Sequence, residues 1–397
     1  MKTIKILIAL FSALLIASFA IVGCSQPQIS QQSQPQEQPV FEVQDLPAPP
    51  PDPIENKVAE KIASMTLEEK ACALFVGTPE ILGGASVYSD PSQLAAGFKQ
   101  YPLSGICWFA SNLPNPESVQ AMLSATSQAG GQDGFAVLQC LDEEGGTVTR
   151  IAFNPLFNAT DVGDARLATE GGTQRAYDNG VIIGSYLSPL GFNVDFAPVA
   201  DVAAGSWDFI YDRSFSQDPN VAADMVASEI AGLASAGIVG CPKHFPGIGG
   251  SAGDTHAGTV IVDSTREQLD AVALVPFKKA VDSGAKMIMV GHAEYPAIDS
   301  LPASCSPAII SILRNDLGFD GVIITDSQQM GAVSDLYGSG EATLRSLEAG
   351  ADLVLIPMDF IESRDAIIEA VQTGRLSEER INQSLGRILR LRAELAG

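Results

Sequence analysis

The order of its apolar runs constrains this chain more than any other feature. Short β-rich runs occur at Ser104–Phe109, Ala136–Leu141, Val194–Ala197, Gly237–Cys241, Lys286–Val290, Gly321–Thr325 and Asp352–Ile356. Stretches with helical spacing lie between most of them, at Asn115–Ala129, Arg266–Ser283 and Pro307–Leu317, and another, Ser363–Thr373, follows the last run. Continuous apolar strands alternating with helices imply a parallel sheet covered on its outer face. Seven strands are assigned in this way. An eighth would complete a (β/α)8 barrel of TIM type, and the pattern does not place it. A doubly wound open sheet is the competing architecture, but the glycine-rich GxGxxG turn usual after its first strand is missing. The barrel reading gains from the polar residues. Asp142, Lys243 with His244, His292 and Asp326 each follow an apolar run, and in a barrel the strand C-termini share one face. Thr66-Leu67-Glu68-Glu69 reads as a capping box opening a helix into Ala71–Phe75. Glu378–Leu395 is amphipathic, with Ile381, Leu385, Ile388, Leu389 and Leu391 on one side.

The residues before the first run read differently. Lys2 and Lys5 precede an apolar run from Ile6 to Val22, followed by Gly23 and Cys24. A basic start, an apolar stretch and small residues before a cut describe a secretory signal. Ile21-Val22-Gly23-Cys24 resembles the bacterial lipobox, which implies acylation of Cys24 and a lipid anchor to a bacterial membrane. An uncleaved membrane anchor is the alternative. Residues 24–53 are rich in Gln, Pro and Ser and read as an extended tether. The expected organisation is therefore a signal at 1–23, a tether at 24–53 and one catalytic barrel at 54–397, extracytoplasmic and monomeric. The formal net charge is -24, from 23 Lys+Arg against 47 Asp+Glu. Such a surface argues against nucleic-acid binding and would be repelled by an anionic bilayer, so the lipid would have to hold the protein there. With 46% hydrophobic residues the chain has the means to bury a large core. Beyond Cys24 the cysteines number five and are widely spaced, which points to buried thiols rather than a disulfide framework.

Three stretches carry chemistry. Residues 243–256 begin with Lys243-His244 at a strand end and pass through a loop with four glycines to Asp254 and His256. A carboxylate two residues from an imidazole is able to fix its tautomer and make it a better general base; the alternative is a solvated loop whose Asp and His cap turns. Asp326 ends the run Gly321–Thr325, as a nucleophile, a metal ligand or a helix N-cap. Asp142-Glu143-Glu144 would bind either a divalent metal or sugar hydroxyls, with Arg150 neutralising part of the charge.

Together these stretches resemble glycoside hydrolase family 3, and within it the β-N-acetylglucosaminidase branch. Residues 243–256 match its Lys-His-Phe-Pro-Gly-x-Gly…Asp-Ser/Thr-His, residues 142–146 its Asp-x-Glu-Gly-Gly, and Thr325–Met330 its Ser-Asp-x-x-x-Met. Met65–Lys70, Phe196–Val199 with Asp201, and Asp212–Phe215 add further matches, so the similarity runs from about 57 to 394. The resemblance implies a retaining exo-β-N-acetylglucosaminidase acting on peptidoglycan fragments or related glycans. Asp326 would be the nucleophile, His256 the acid/base and Asp254 its partner. Asp142, Arg150, Arg213, Lys243 and His244 would hold the terminal sugar, and His292 would form pocket wall. No cofactor or metal is implied. A histidine acid leaves less negative charge near the leaving group than a second carboxylate, so a phosphorylase with the same residues is one alternative. A catalytically inactive sugar-binding lipoprotein is the other. The chain departs from the family pattern at Ile248, where His is frequent, at Ser327, where a second acid is frequent, and at Gln328, where Leu is usual.

Overall fold

The computed structural model describes residues 53–83, 90–251, 253, 255 and 257–397. The expected signal, Cys24, the tether up to residue 52, Asp254 and His256 lie outside the described residues.

Among the described residues ten strands follow one another: β1 Phe75–Gly77, β2 Gly105–Cys107, β3 Leu138–Leu141, β4 Val194–Asp195, β5 Val239–Gly240, β6 Met287–Val290, β7 Glu294–Tyr295, β8 Asp299–Pro302, β9 Val322–Ser327 and β10 Leu353–Leu355. β7 and β8 form a small antiparallel ribbon. The other eight make one sheet in the order β5-β4-β3-β2-β1-β10-β9-β6, with every neighbouring pair parallel. Backbone hydrogen bonds join its two ends. Met289 N–H donates to Pro242 O (3.0 Å), Phe245 N–H to Met289 O (2.8 Å) and Gly291 N–H to Phe245 O (2.9 Å). The sheet is thus a barrel, as the alternation of runs and helices implies.

The eighth strand, left unplaced by the periodicity, is β1. The capping box is present, with Thr66 N–H donating to Glu69 Oε2 (2.8 Å) and Glu69 N–H to Thr66 Oγ1 (3.2 Å). Its helix, however, covers Leu67–Cys72 and stops before Phe75. The uninterrupted apolar run Ala71–Val76 has no phase to mark where helix gives way to strand. The strands are buried on both faces, as at Met287–Val290, because helices cover them outside and side chains fill the barrel within.

Local chemistry starts the outer helices. Asn115, Asp218 and Ser306 each accept a backbone N–H from the first turn, and each precedes a proline that opens the helix. Glu378–Glu394 closes the chain on its apolar stripe. Arg266–Ser283 and Pro307–Leu317 are helical but contain wider turns at Leu269–Ala273 and Ile312–Asp316. Cys72, Cys107, Cys140, Cys241 and Cys305 are all buried free thiols.

Beneath the barrel, the fully buried Asp352 gathers Arg314 (2.6 Å), Arg387 (3.4 Å), Ser384 (2.9 Å) and the N–H of Ile323 (3.0 Å). This network joins β9 and β10 to the C-terminal helix at the end opposite the polar strand termini.

Candidate active site

The strand C-termini surround a cavity of about 360 Å³, lined among others by Asp142, Glu144, Arg150, Arg213, Lys243, His244 and Asp326. Six residues singled out in the sequence, on segments following β3, β4 and β5 and at the end of β9, therefore meet in one bowl. The volume lies near the lower end of the roughly 300–1,000 Å³ typical of small-molecule sites.

Charge is arranged there as an alternating chain. Arg150 Nη2 stands 3.4 Å from Asp142 Oδ2, and Asp142 Oδ1 lies 2.6 Å from Lys243 Nζ. Lys243 also meets Glu144 Oε1 at 2.6 Å, and Glu144 accepts both Nε and Nη2 of Arg213 at 2.8 Å. Burial alone would raise the Glu144 carboxyl, but Lys243 and Arg213 outweigh it and hold the group at about 2. Burial likewise opposes the charge on Lys243, yet Asp142 and Glu144 push its ammonium above the ordinary lysine value. Glu144, Lys243 and Arg213 stay ionised because each buried charge has a partner. Among the described residues Arg150 Nε has no hydrogen-bond partner, a buried donor left over at the cavity wall.

The acidic triplet divides its labour. Asp142 and Glu144 face the cavity, whereas Glu143 turns inward. It accepts the N–H groups of Arg150 (2.6 Å), Ile151 (2.8 Å) and Ala152 (2.9 Å) and the hydroxyl of Tyr186 (3.0 Å). Glu143 thus folds the loop that carries Arg150. Among the described residues no group of His, Cys, Asp or Glu is arranged to hold a metal ion.

His244 is oriented by Asp201. The buried Asp201 accepts His244 Nδ1–H at 2.7 Å, its backbone N–H at 3.2 Å and the Ile248 N–H at 2.8 Å. With Nδ1 held by Asp201, the ring is fixed in orientation and Nε2 is its other nitrogen. Asp208 continues this abutment by accepting Gly250 N–H at 2.6 Å. The backbone of the glycine-rich loop comes so close that a Cβ on Gly249 would sit 1.9 Å from Val202 O. Ile248 packs into the core beside Phe245. Farther along, Ala332 N–H donates to Thr255 O (3.2 Å), so the loop also touches the segment that follows β9.

Asp326 ends β9 with Oδ1 accepting the N–H of Ser327 at 2.8 Å. Burial opposes its ionisation, but the neighbouring His244, that N–H and Lys243 together hold its carboxyl below the usual range. His292 lies behind it rather than in the cavity lining. Its Nε2 donates to Ser327 O (2.9 Å), so its Nδ1, 2.7 Å from Ser304 Oγ, accepts. Burial lowers the His292 pKa, in keeping with a neutral ring. Sequence reasoning gave Glu144 and Asp201 no individual roles; their signal lay inside the same motifs, but their partners are remote in sequence.

A parallel barrel with an ionised carboxylate and a cluster of paired cations at its strand C-termini defines a polar-ligand site of the TIM-barrel enzyme type. Residues 58–391 match the family described as the glycosyl hydrolase family 3 N terminal domain, and the chain belongs to that family. It is 29% identical over 338 residues to beta-hexosaminidase A of Pseudoalteromonas piscicida, covering 78% of this chain and 56% of that protein. It is 32% identical over 293 residues to a beta-hexosaminidase of Stenotrophomonas maltophilia strain R551-3, covering 72% and 84%. Among solved structures, a glycoside hydrolase family 3 beta-N-acetylglucosaminidase from Paenibacillus sp. str. FPU-7 superposes with a TM-score of 0.75 at 33% identity, covering 84% of this chain and 64% of that one. LpqI of M. tuberculosis superposes with a TM-score of 0.74 at 29% identity, covering 86% and 96%. The chain thus spans little more than half of the first relative and nearly all of the last.

Proposed function

We propose that the chain is a retaining exo-β-N-acetylglucosaminidase that removes terminal β-linked N-acetylglucosamine from peptidoglycan fragments or related glycans. The observation that carries this reading is Asp326. Its carboxyl is held below the ordinary range at the floor of a cavity sized for a small polar ligand, beside Lys243 and His244. The relatives named beta-hexosaminidase support the sugar assignment. With Oδ1 occupied by the Ser327 N–H, Oδ2 is the oxygen free to attack the anomeric carbon. The C–O bond to the leaving group breaks as His256 delivers a proton to that oxygen, and Asp254 steadies the imidazole. Water, deprotonated by His256, then releases the sugar from Asp326. Asp142, Arg150, Arg213, Lys243 and His244 bind the hydroxyls of the terminal sugar. Acylation of Cys24 would hold the enzyme on the outer side of a bacterial membrane; Cys24→Ala protein recovered free of membranes while wild type stays bound is the expected result.

The decisive assay compares aryl 2-acetamido and 2-hydroxy β-glucosides. The acetamido substrate should be cleaved preferentially, and Asp326→Ala and His256→Ala proteins should lose turnover. A fluorinated sugar should leave an adduct on Asp326. Wild-type rates in both variants would refute the assignment, and release of a sugar phosphate on adding phosphate would make the enzyme a phosphorylase.

A further inference from the structure

Gln328 stands two residues after Asp326, where the family pattern has an apolar residue. Its side chain is 0% exposed, yet both ends of its amide are satisfied. Nε2 donates to Ser346 Oγ at 3.1 Å, and Oε1 accepts from Thr343 Oγ1 at 3.0 Å. Both partners lie on the helix Ser339–Ala349. Thr343 Oγ1 lies 3.0 Å from Ser363 Oγ, which is 2.7 Å from Ser339 Oγ, so the network reaches the next helix, Phe360–Thr373. On the other side, Ser346 Oγ is 3.6 Å from Cys305 Sγ, itself 3.7 Å from Ser304 Oγ, the group that meets His292.

These bonds converge on one dipeptide. The peptide between Ser327 and Gln328 has its carbonyl held by His292 (2.9 Å) and its N–H donating to Leu355 O (3.0 Å). The preceding peptide aims the Ser327 N–H at Asp326 Oδ1. We infer that Gln328 is a positioning residue for Asp326: by tying the turn after β9 to the helix Ser339–Ala349, it fixes the Ser327 peptides that orient the carboxylate. An apolar residue would fill the same space without setting the turn's direction, because only hydrogen bonds are directional there. This inference rests on Asp326 being the nucleophile.

The test uses the full chain and an aryl β-N-acetylglucosaminide. Gln328→Leu should lower kcat about tenfold, with the trapping rate by a fluorinated sugar falling by the same factor and KM little changed. The Leu protein also strands the Ser346 and Thr343 hydroxyls. Combining it with Thr343→Val and Ser346→Ala removes these groups and should restore the melting temperature. The triple variant should nevertheless keep the low kcat. If the triple variant regains stability and wild-type kcat together, Gln328 serves packing alone and the inference is overturned. Should the Leu protein not fold, Thr343→Val and Ser346→Ala cut the tethers singly, and unchanged kcat in both overturns it equally. Asp326→Ala separates the two levels. Wild-type turnover in that protein defeats the nucleophile reading itself, whereas its inactivity beside unimpaired Gln328 variants defeats the positioning role alone.

Discussion

Asp195, at the end of β4, offers a test of how this barrel distributes charge. The residue is 0% exposed. Oδ1 accepts the Glu143 N–H at 2.9 Å, and Oδ2 is buried with no partner among the described residues. Glu143 beside it has four donors, three backbone N–H groups and Tyr186. Burial raises the Glu143 carboxyl too, but its four donors oppose that rise, so of the two carboxyls Glu143 is the one that keeps the negative charge. Burial, with the Glu143 charge added, accordingly pushes Asp195 well above its usual range. In the unfolded chain the group ionises near its ordinary value of about 3.9. Between that value and the raised folded one, the folded state binds a proton that the unfolded state has released. The stability associated with this proton is fully present below the unfolded pKa and is lost as pH rises toward the folded one, at about 1.4 kcal/mol per pH unit.

Asp195→Asn keeps an acceptor for the Glu143 N–H and has no proton to lose. Its second amide hydrogen has no acceptor at Oδ2, a cost of about 1–3 kcal/mol that does not depend on pH. The variant should therefore be equal to wild type or less stable at pH 4 and should gain on it by about 1.4 kcal/mol for each pH unit above that, until the folded carboxyl ionises. Urea unfolding of both proteins at half-unit steps from pH 4 to 8 measures the difference directly. A difference that stays flat across this window would mean that Asp195 is ionised in the folded barrel, and the charge assignment of the Asp195–Glu143 pair would be wrong.

Three further substitutions probe other parts of the design. Asp352→Ala leaves Arg314 and Arg387 without their buried counter-ion and should cost about 3–5 kcal/mol in denaturant unfolding, with the intact cavity residues unaffected in sequence. Glu144→Gln keeps the shape of the side chain but removes the charge between Lys243 and Arg213; kcat/KM for the aryl glycoside should fall roughly 10- to 100-fold, the worth of a charged hydrogen bond of about 1.5–3 kcal/mol. Because the Glu144 carboxyl is held at about 2, its contribution to stability is present above the unfolded value and is lost as pH falls toward 2, and this acid loss should be smaller in the Gln variant. Gly249→Ala drives a Cβ against Val202 O, so the loop has to lift from its abutment; a loss of about 1–3 kcal/mol, seen as a lower melting temperature, should accompany reduced turnover.

The sequence carries the barrel and the cavity lining because both are written locally. A run such as Met287–Val290 declares a strand buried on both faces within a few residues, and the polar residue after it marks the open end. β1 escapes that reading because three residues of strand follow a capped helix with no polar break. What joins the cavity residues is invisible for a different reason. Lys243 meets Asp142 across 101 positions, and Arg213 meets Glu144 across 69. No local spacing encodes such pairs, so the acids of residues 142–144 look interchangeable until the fold turns Glu143 inward and the other two outward. Gln328 makes the same point in reverse. As a letter it is a departure from the family pattern, standing where Leu is usual. In the folded chain it points away from the cavity, and its two partners, Thr343 and Ser346, are hydroxyl residues on a neighbouring helix. A buried amide with both ends satisfied is tolerated only if those partners are present with it. The polar letters at 328, 343 and 346 therefore form one unit, and their joint effect belongs to the orientation of Asp326 rather than to the choice of sugar.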